Sequence, residues 1–136
     1  MMRVVLDTNV LISGLLSETG PPGQIVSLML HGELQPVVSA TILAEYRDVL
    51  ARPKFGFKPS ERNLLLGVIE KFGLIVEPMP WPMHLPDADD EQYLAAAEAA
   101  AAPLVTGNLR HFPKRSRRSV PVHSPRDFID QLRDRP

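Results

Sequence analysis

The sequence of 136 residues contains no cysteine. That absence rules out a disulfide framework and any thiolate metal site. Long apolar runs are missing as well, and nothing approaches the roughly 20 residues that cross a bilayer. The opening stretch Met1 to Leu6 is too short for a secretion signal. The expectation is a cytoplasmic protein that engages no membrane. A large net charge is also absent, since 15 Lys and Arg face 16 Asp and Glu for a net charge of −1.

That balance conceals an asymmetry. Residues 1–109 carry 7 Lys and Arg against 13 Asp and Glu, a balance of −6, whereas residues 110–136 carry 8 against 3, a balance of +5. The cations concentrate in the loop 110–119, as Arg110, Lys114, Arg115, Arg117 and Arg118. An acidic body beside a basic flank suits a nucleic acid substrate next to a cation-binding carboxylate site. A solvated, mobile loop explains the flank equally well. The length suits one domain, which buries about 65–70% of the surface its unfolded chain exposes.

Short β-like runs alternate with longer helical ones. The strand-like pieces are Arg3–Asp7, Gln35–Ser39, Leu74–Glu77, Pro103–Thr106 and Val120–Val122. Helices are expected near Thr8–Leu16, Gly23–His31, Ala40–Ala51, Ser60–Phe72, Asp89–Ala102 and Pro125–Arg133, with Ser60 as an N-cap and Gly32 and Gly73 as C-terminal stops. This alternation predicts an α/β fold with a mostly parallel sheet covered on both faces. "PMPWPMHLP", with four prolines in nine positions, reads as an extended connector rather than an SH3-type ligand.

In open α/β sheets, ligands gather beyond the carboxyl ends of the strands. Asp7 ends the first strand and Thr106-Gly107-Asn108 ends the fourth, so both point to one rim. Asp7 is either a helix cap or chemistry. Glu45 falls at the border of the apolar arc formed by Ile42, Leu43, Tyr46, Val49 and Leu50, while Asp48 lies further round. The run "DADDE" places Asp87, Asp89, Asp90 and Glu91 at a helix start. One acid there caps free N–H groups and suits the macrodipole; four repel one another, and a bound cation would explain the excess. Oxygen donors without cysteine or paired histidines suit Mg²⁺ or Mn²⁺ rather than Zn²⁺.

Taken in order, "VVLDTNVLISGLL", "VVSATILAEYRDVLARPKF" and "DADDEQYLAAAEAAAAPLVTGN" followed by "HFP" resemble the PIN domain family. Within it they are similar to the prokaryotic toxin components of toxin–antitoxin systems, the VapC-type toxins. The resemblance runs from about Arg3 to Phe128, and the ordered set is far more specific than "DTN" alone. It implies a single PIN domain over 1–136, with a central mostly parallel sheet of four or five short strands and helices on both faces. It also implies a Mg²⁺- or Mn²⁺-dependent endoribonuclease that hydrolyses single-stranded or structured RNA and leaves a 5′-phosphate. Carried over residue by residue, Asp7, Glu45 and Asp90 are the catalytic metal ligands, with Asp87 a further acid three residues before Asp90.

Thr106 and Asn108 match the family's "TGD" or "TGN" strand end. Where much of the family has an aspartate, Asn108 offers a neutral carbonyl, which lowers the expected cation affinity. Thr8 and Asn9 either cap the first helix or orient Asp7. Ser13 faces the cleft or solvent, and His111 reads as a loop residue rather than a phosphate contact. Arg110, Lys114 and Arg115 are the candidate phosphate contacts, since cations beside a single-stranded groove act without reading sequence.

Family likeness further implies a small antitoxin protein over the acidic cleft and a homodimer. Leu28, Met29, Leu30, Leu64, Leu65 and Leu66 cover more of their helices than one core face requires, though burial within the fold accounts for them too. One other enzyme class and one other doubly wound domain fit poorly. An aspartyl-phosphate phosphatase wants an aspartate where Asn9 stands, and a receiver domain wants an acidic pair and a lysine that are missing here. The rival to the nuclease is a catalytically weak or inactive PIN-like module that binds RNA or protein.

Overall fold

A computed structural model describes residues 2–134. Met1, Arg135 and Pro136, the ends of the expected single domain, lie outside the described residues. In chain order the elements are β1 (Met2–Leu6), α1 (Thr8–Leu16), α2 (Pro21–Leu30), β2 (Leu34–Val38), α3 (Ala40–Leu50), α4 (Pro59–Phe72), β3 (Leu74–Ile75), α5 (Glu91–Ala100), β4 (Leu104–Val105), β5 (Val122–His123) and α6 (Pro125–Arg133). Short 3-10 turns occupy Pro53–Phe55, Ala88–Asp90, Leu109–His111 and Lys114–Ser116.

The five strands form one sheet in the order β3-β2-β1-β4-β5, and every pair is parallel. β1 is central, with Val4, Val5 and Leu6 all buried. Successive strand residues point to opposite faces, so an unbroken buried run means both faces are covered. The chain steps from β1 to β2 to β3 in one direction and returns from β3 to β4 in the other. Right-handed crossovers then place α5 on the face opposite α1 to α4. Small side chains let α5 approach: Ala95, Ala96 and Ala97 are buried, and the helix packs on β1, β2 and β4.

Element ends shift from the sequence expectation for identifiable reasons. α4 starts at Pro59, not at a Ser60 cap, because proline is preset for the first helical position and the Glu61 carboxylate accepts from the Lys58 amide at 3.2 Å. α5 starts at Glu91 rather than Asp89, since Asp87 caps a preceding 3-10 turn by accepting from the Asp89 amide at 2.9 Å. β5 moves on to Val122–His123, where the carbonyls of Pro121 and His123 accept from Leu104 and Thr106. Gly32 ends α2 with φ of 78°, and Gly73 ends α4 by donating its N–H to the Ile69 carbonyl. The proline-rich segment is an extended connector, pinned where Trp81 and Leu85 are buried and the Trp81 indole N–H donates to the Ser116 carbonyl.

The α1–α2 corner depends on close approaches at Gly14 and Gly23. A Cβ on Gly23 would stand 2.4 Å from the Ser17 carbonyl oxygen, while one on Gly67, midway along α4, meets nothing within 4 Å. Gly23→Ala is therefore expected to cost about 1–3 kcal/mol by overpacking against backbone. Gly67→Ala should gain about 1 kcal/mol from helix propensity. Urea unfolding of the two variants checks the opposite signs.

Candidate functional site: a carboxylate-lined cleft

The sheet order splits on either side of β1, with β2 on one flank and β4 on the other, which opens a crevice at the carboxyl end of β1. Asp7 sits there as the residue before α1. It takes the N-cap position with φ of −61° and ψ of 144° yet makes no capping hydrogen bond with its side chain. Its carboxylate instead accepts from the Thr106 hydroxyl at 2.8 Å, across from β4. The side chain is thus directed toward β4 rather than onto the first turn of α1.

Asp7 is only 7% exposed. Burial raises its pKa above the ordinary value; the Thr106 hydrogen bond and the nearby amides of Asn9 and Thr8 oppose that rise, and the Glu45 charge adds to it. Thr106 itself is held in turn, because its hydroxyl oxygen accepts from the Asn108 amide at 3.0 Å. Asn108 thus contributes a backbone N–H to the chain of contacts that holds Asp7. Asn9 ties the same strand end to α1 by accepting from the Gly107 amide at 3.1 Å.

Glu45 reaches the cleft from the border of α3. One carboxylate oxygen accepts from the Thr8 hydroxyl at 3.1 Å, from the Gln92 amide at 3.4 Å and from the Tyr93 phenol. The Thr8 and Tyr93 hydroxyls also meet at 2.6 Å, so α1, α3 and α5 are knotted at this point. Burial and the Asp7 and Glu45 carboxylates hold the Tyr93 phenol far above its usual pKa, so it remains a protonated donor. Tyr46, also on α3, donates to the Leu6 carbonyl beneath the site.

The acidic run divides its labour. Asp87 is exposed and caps the 3-10 turn, Asp89 is exposed, and Glu91 accepts from the Leu85 amide of the connector at 3.2 Å. Asp90 turns inward and is gripped by the His111 imidazole at 2.9 Å. Burial, then the charges of Asp7 and Asp87, push its pKa up to about 6, against the opposing His111 contact. His111 sits in the connection between β4 and β5, as expected, but no local sequence signal marks its contact with Asp90.

Asp7, Glu45 and Asp90 line one cleft of about 320 Å³, together with Asn9, Ser13 and Arg52 among others. Asp87, Thr106 and Asn108 are not on its wall. Among the described residues, no three acidic or imidazole groups already stand as a closed ion-holding cluster. The donor set is nonetheless all oxygen and mutually repulsive, which is the chemistry a Mg²⁺ or Mn²⁺ ion neutralises. The basic flank is folded rather than a free loop. Phe112, Ser116 and Val120 are buried, Arg117 donates to the Phe112 carbonyl at 2.7 Å, and Arg118 pairs with Glu98 at 3.4 Å. Arg110, Lys114 and Arg115 are exposed and have no ion pair among the described residues.

An α/β fold with an acidic cleft beyond the central strand is the class these features define. The PIN domain pattern matches residues 3–110, and the chain belongs to the PIN domain family. It is 28% identical over 142 aligned positions to the uncharacterized protein MJ1680 of Methanocaldococcus jannaschii, covering 96% of this chain and 92% of that protein. In fold it is similar to VapBC2 from Rickettsia felis, solved bound to a DNA fragment from their promoter, with a TM-score of 0.59 and 16% identity over 90% of this chain and 98% of that one. FitAcB from Neisseria gonorrhoeae is similar with a TM-score of 0.56 and 20% identity, covering 90% and 97% of the two chains.

Two outcomes test this geometry. Thr106→Val should cost about 1–3 kcal/mol in urea unfolding, because it deprives buried Asp7 and the Asn108 amide of a partner, whereas Thr106→Ser should retain most of the stability. For Asp90, a folded pKa of about 6 against an ordinary 3.8 means that its stabilising contribution is full below 3.8 and is lost as pH rises through about 6. Asp90→Asn without metal should therefore melt higher than the wild type at pH 7.5, with the gap closing toward pH 4.

Proposed function

We propose that the chain is a metal-dependent endoribonuclease whose Asp7, Glu45 and Asp90 hold a Mg²⁺ or Mn²⁺ ion. The observation that carries this reading is the convergence of three carboxylates from a strand end, a helix border and a helix start on one cleft. When bound, such a cation supplies Lewis acidity toward a phosphodiester and its attacking water. The chain's own residues set the geometry. Thr106 fixes Asp7, Tyr93 and Thr8 fix one oxygen of Glu45 and leave the other open, and His111 fixes Asp90. Arg110, Lys114 and Arg115 draw in the RNA backbone and offset the repulsion between a polyanion and the acidic cleft.

We further propose the place of this nuclease in a toxin–antitoxin pair, as the toxin, with a small antitoxin protein covering the acidic cleft. VapBC2 and FitAcB are similar in fold, and the match to the PIN domain supports the reading. A homodimer is the proposed assembly. Leu30, Leu64, Phe72 and Ile75 are exposed on α2, α4 and β3, the flank formed by one edge of the sheet. Cytoplasmic action follows from an RNA substrate, and among the described residues no helix is long and apolar enough to cross a membrane.

The test is cleavage of end-labelled single-stranded RNA by chelator-treated protein, with Mn²⁺ or Mg²⁺ restored in half the lanes. Metal-dependent cleavage is expected, falling at least 100-fold in folded Asp7→Asn and Asp90→Asn proteins, because each removes a charge that holds the ion. Cleavage that survives both substitutions overturns the assignment. Binding without any cleavage favours the PIN-like binding module.

A further inference from the structure

The segment "RPKFGFK", Arg52 to Lys58, links α3 to α4 and has no role in holding a cation. Three of its seven residues are cationic and two are phenylalanines. Gly56 takes a left-handed φ of 64°, a turn that returns Phe57 onto Phe55. The two rings stack with centroids 5.8 Å apart and planes 15° from parallel, and both are half-buried rather than sealed in the core. Phe55 and Arg52 form part of the wall of the same cleft that contains Asp7, Glu45 and Asp90.

An ion site has no use for an aromatic wall, but a nucleotide does, because it brings a flat base and a charged phosphate together. Cations are present for the second part. Among the described residues Arg52 pairs only with Asp48, at 3.1 Å on the surface, and such exposed pairs are weak. The Lys54 ammonium stands 5.1 Å from the centroid of Phe55. That contact is also weak in solvent, so an incoming base displaces it and leaves the lysine beside the phosphate. Topology places this bank on the β2 side of β1, and Arg110, Lys114 and Arg115 on the β4 side. A strand crossing the carboxylates would therefore meet cations on both sides.

We propose that Phe55 is a base-stacking platform for single-stranded RNA, holding the nucleotide next to the scissile phosphate while Arg52 and Lys54 contact its backbone. This rests on the ribonuclease reading of the same cleft. The platform is read out by binding, without turnover, so the two fail separately.

The experiment titrates a single-stranded oligoribonucleotide containing 2-aminopurine with the full chain in EDTA and low salt, following fluorescence quenching and anisotropy. Wild type should quench the probe. Phe55→Leu, which keeps an apolar side chain in the fold, should lose the quench and bind on the order of tenfold more weakly. Phe55→Tyr should keep both within about threefold, since every aromatic face stacks. Arg52→Gln should reduce the slope of log affinity against log salt by about 0.7. A wild type that does not quench, or a folded Phe55→Leu protein that quenches and binds as the wild type does, overturns the platform. A protein that quenches but does not cleave with Mn²⁺ supports the platform and overturns the nuclease.

Discussion

A carboxylate withheld from water at the end of the central strand is the constraint around which the cleft is arranged. Asp7 follows three buried residues of β1, and its amide is tied to the Val105 carbonyl of β4 at 2.9 Å. An ionised carboxylate in such a place is costly unless donors or a cation compensate it. The Thr106 hydroxyl supplies one donor, and the short parallel pairing of β1 with β4 brings that hydroxyl within reach. The backbone amides of Gly107 and Asn108 then brace the strand end by donating to the Asn9 side-chain carbonyl and the Thr106 hydroxyl. Loss of the β1–β4 register would unpair Asp7 and disperse the site together.

The other two acids are fixed by different means. Glu45 has one oxygen committed to hydroxyl donors from α1 and α5, so its orientation is set by helices that meet only in the folded state. Asp90 is gripped by an imidazole, and burial first, then the acids around it, raise its pKa. Such an arrangement brings like charges close together, and the cation proposed for the cleft would relieve that repulsion.

Much of this was legible in the sequence, because period and position carry it. The apolar run Val4–Leu6 followed by Asp7 reads as a strand ending in an acid, and the arc of Ile42, Leu43, Tyr46, Val49 and Leu50 places Glu45 at its border. What escaped is long-range and polar. Tyr93 looks like a core aromatic on an alanine-rich helix, and nothing local says that its hydroxyl meets Thr8, 85 residues earlier in sequence. His111 pairs with Asp90 across 21 residues and looked like a loop histidine for the same reason. The wall made by Arg52 and Phe55 was hidden inside a stretch that reads as a helix stop. The four acids of "DADDE" look alike in sequence, and only folding reveals that Asp87 and Glu91 serve the backbone while Asp90 lines the cleft.

Convergence of Asp7, Glu45 and Asp90 on a single cation is the central claim, and Mn²⁺ titration watched by amide NMR tests it most directly. Paramagnetic broadening falls off steeply with distance, so the ion reports its own position. At substoichiometric Mn²⁺, the amides of Thr8, Glu45 and Asp90 should broaden first and together, and the effect should vanish in Asp7→Asn. Broadening spread over the exposed acids Glu33, Glu70 and Asp130, or unchanged in Asp7→Asn, would contradict the site.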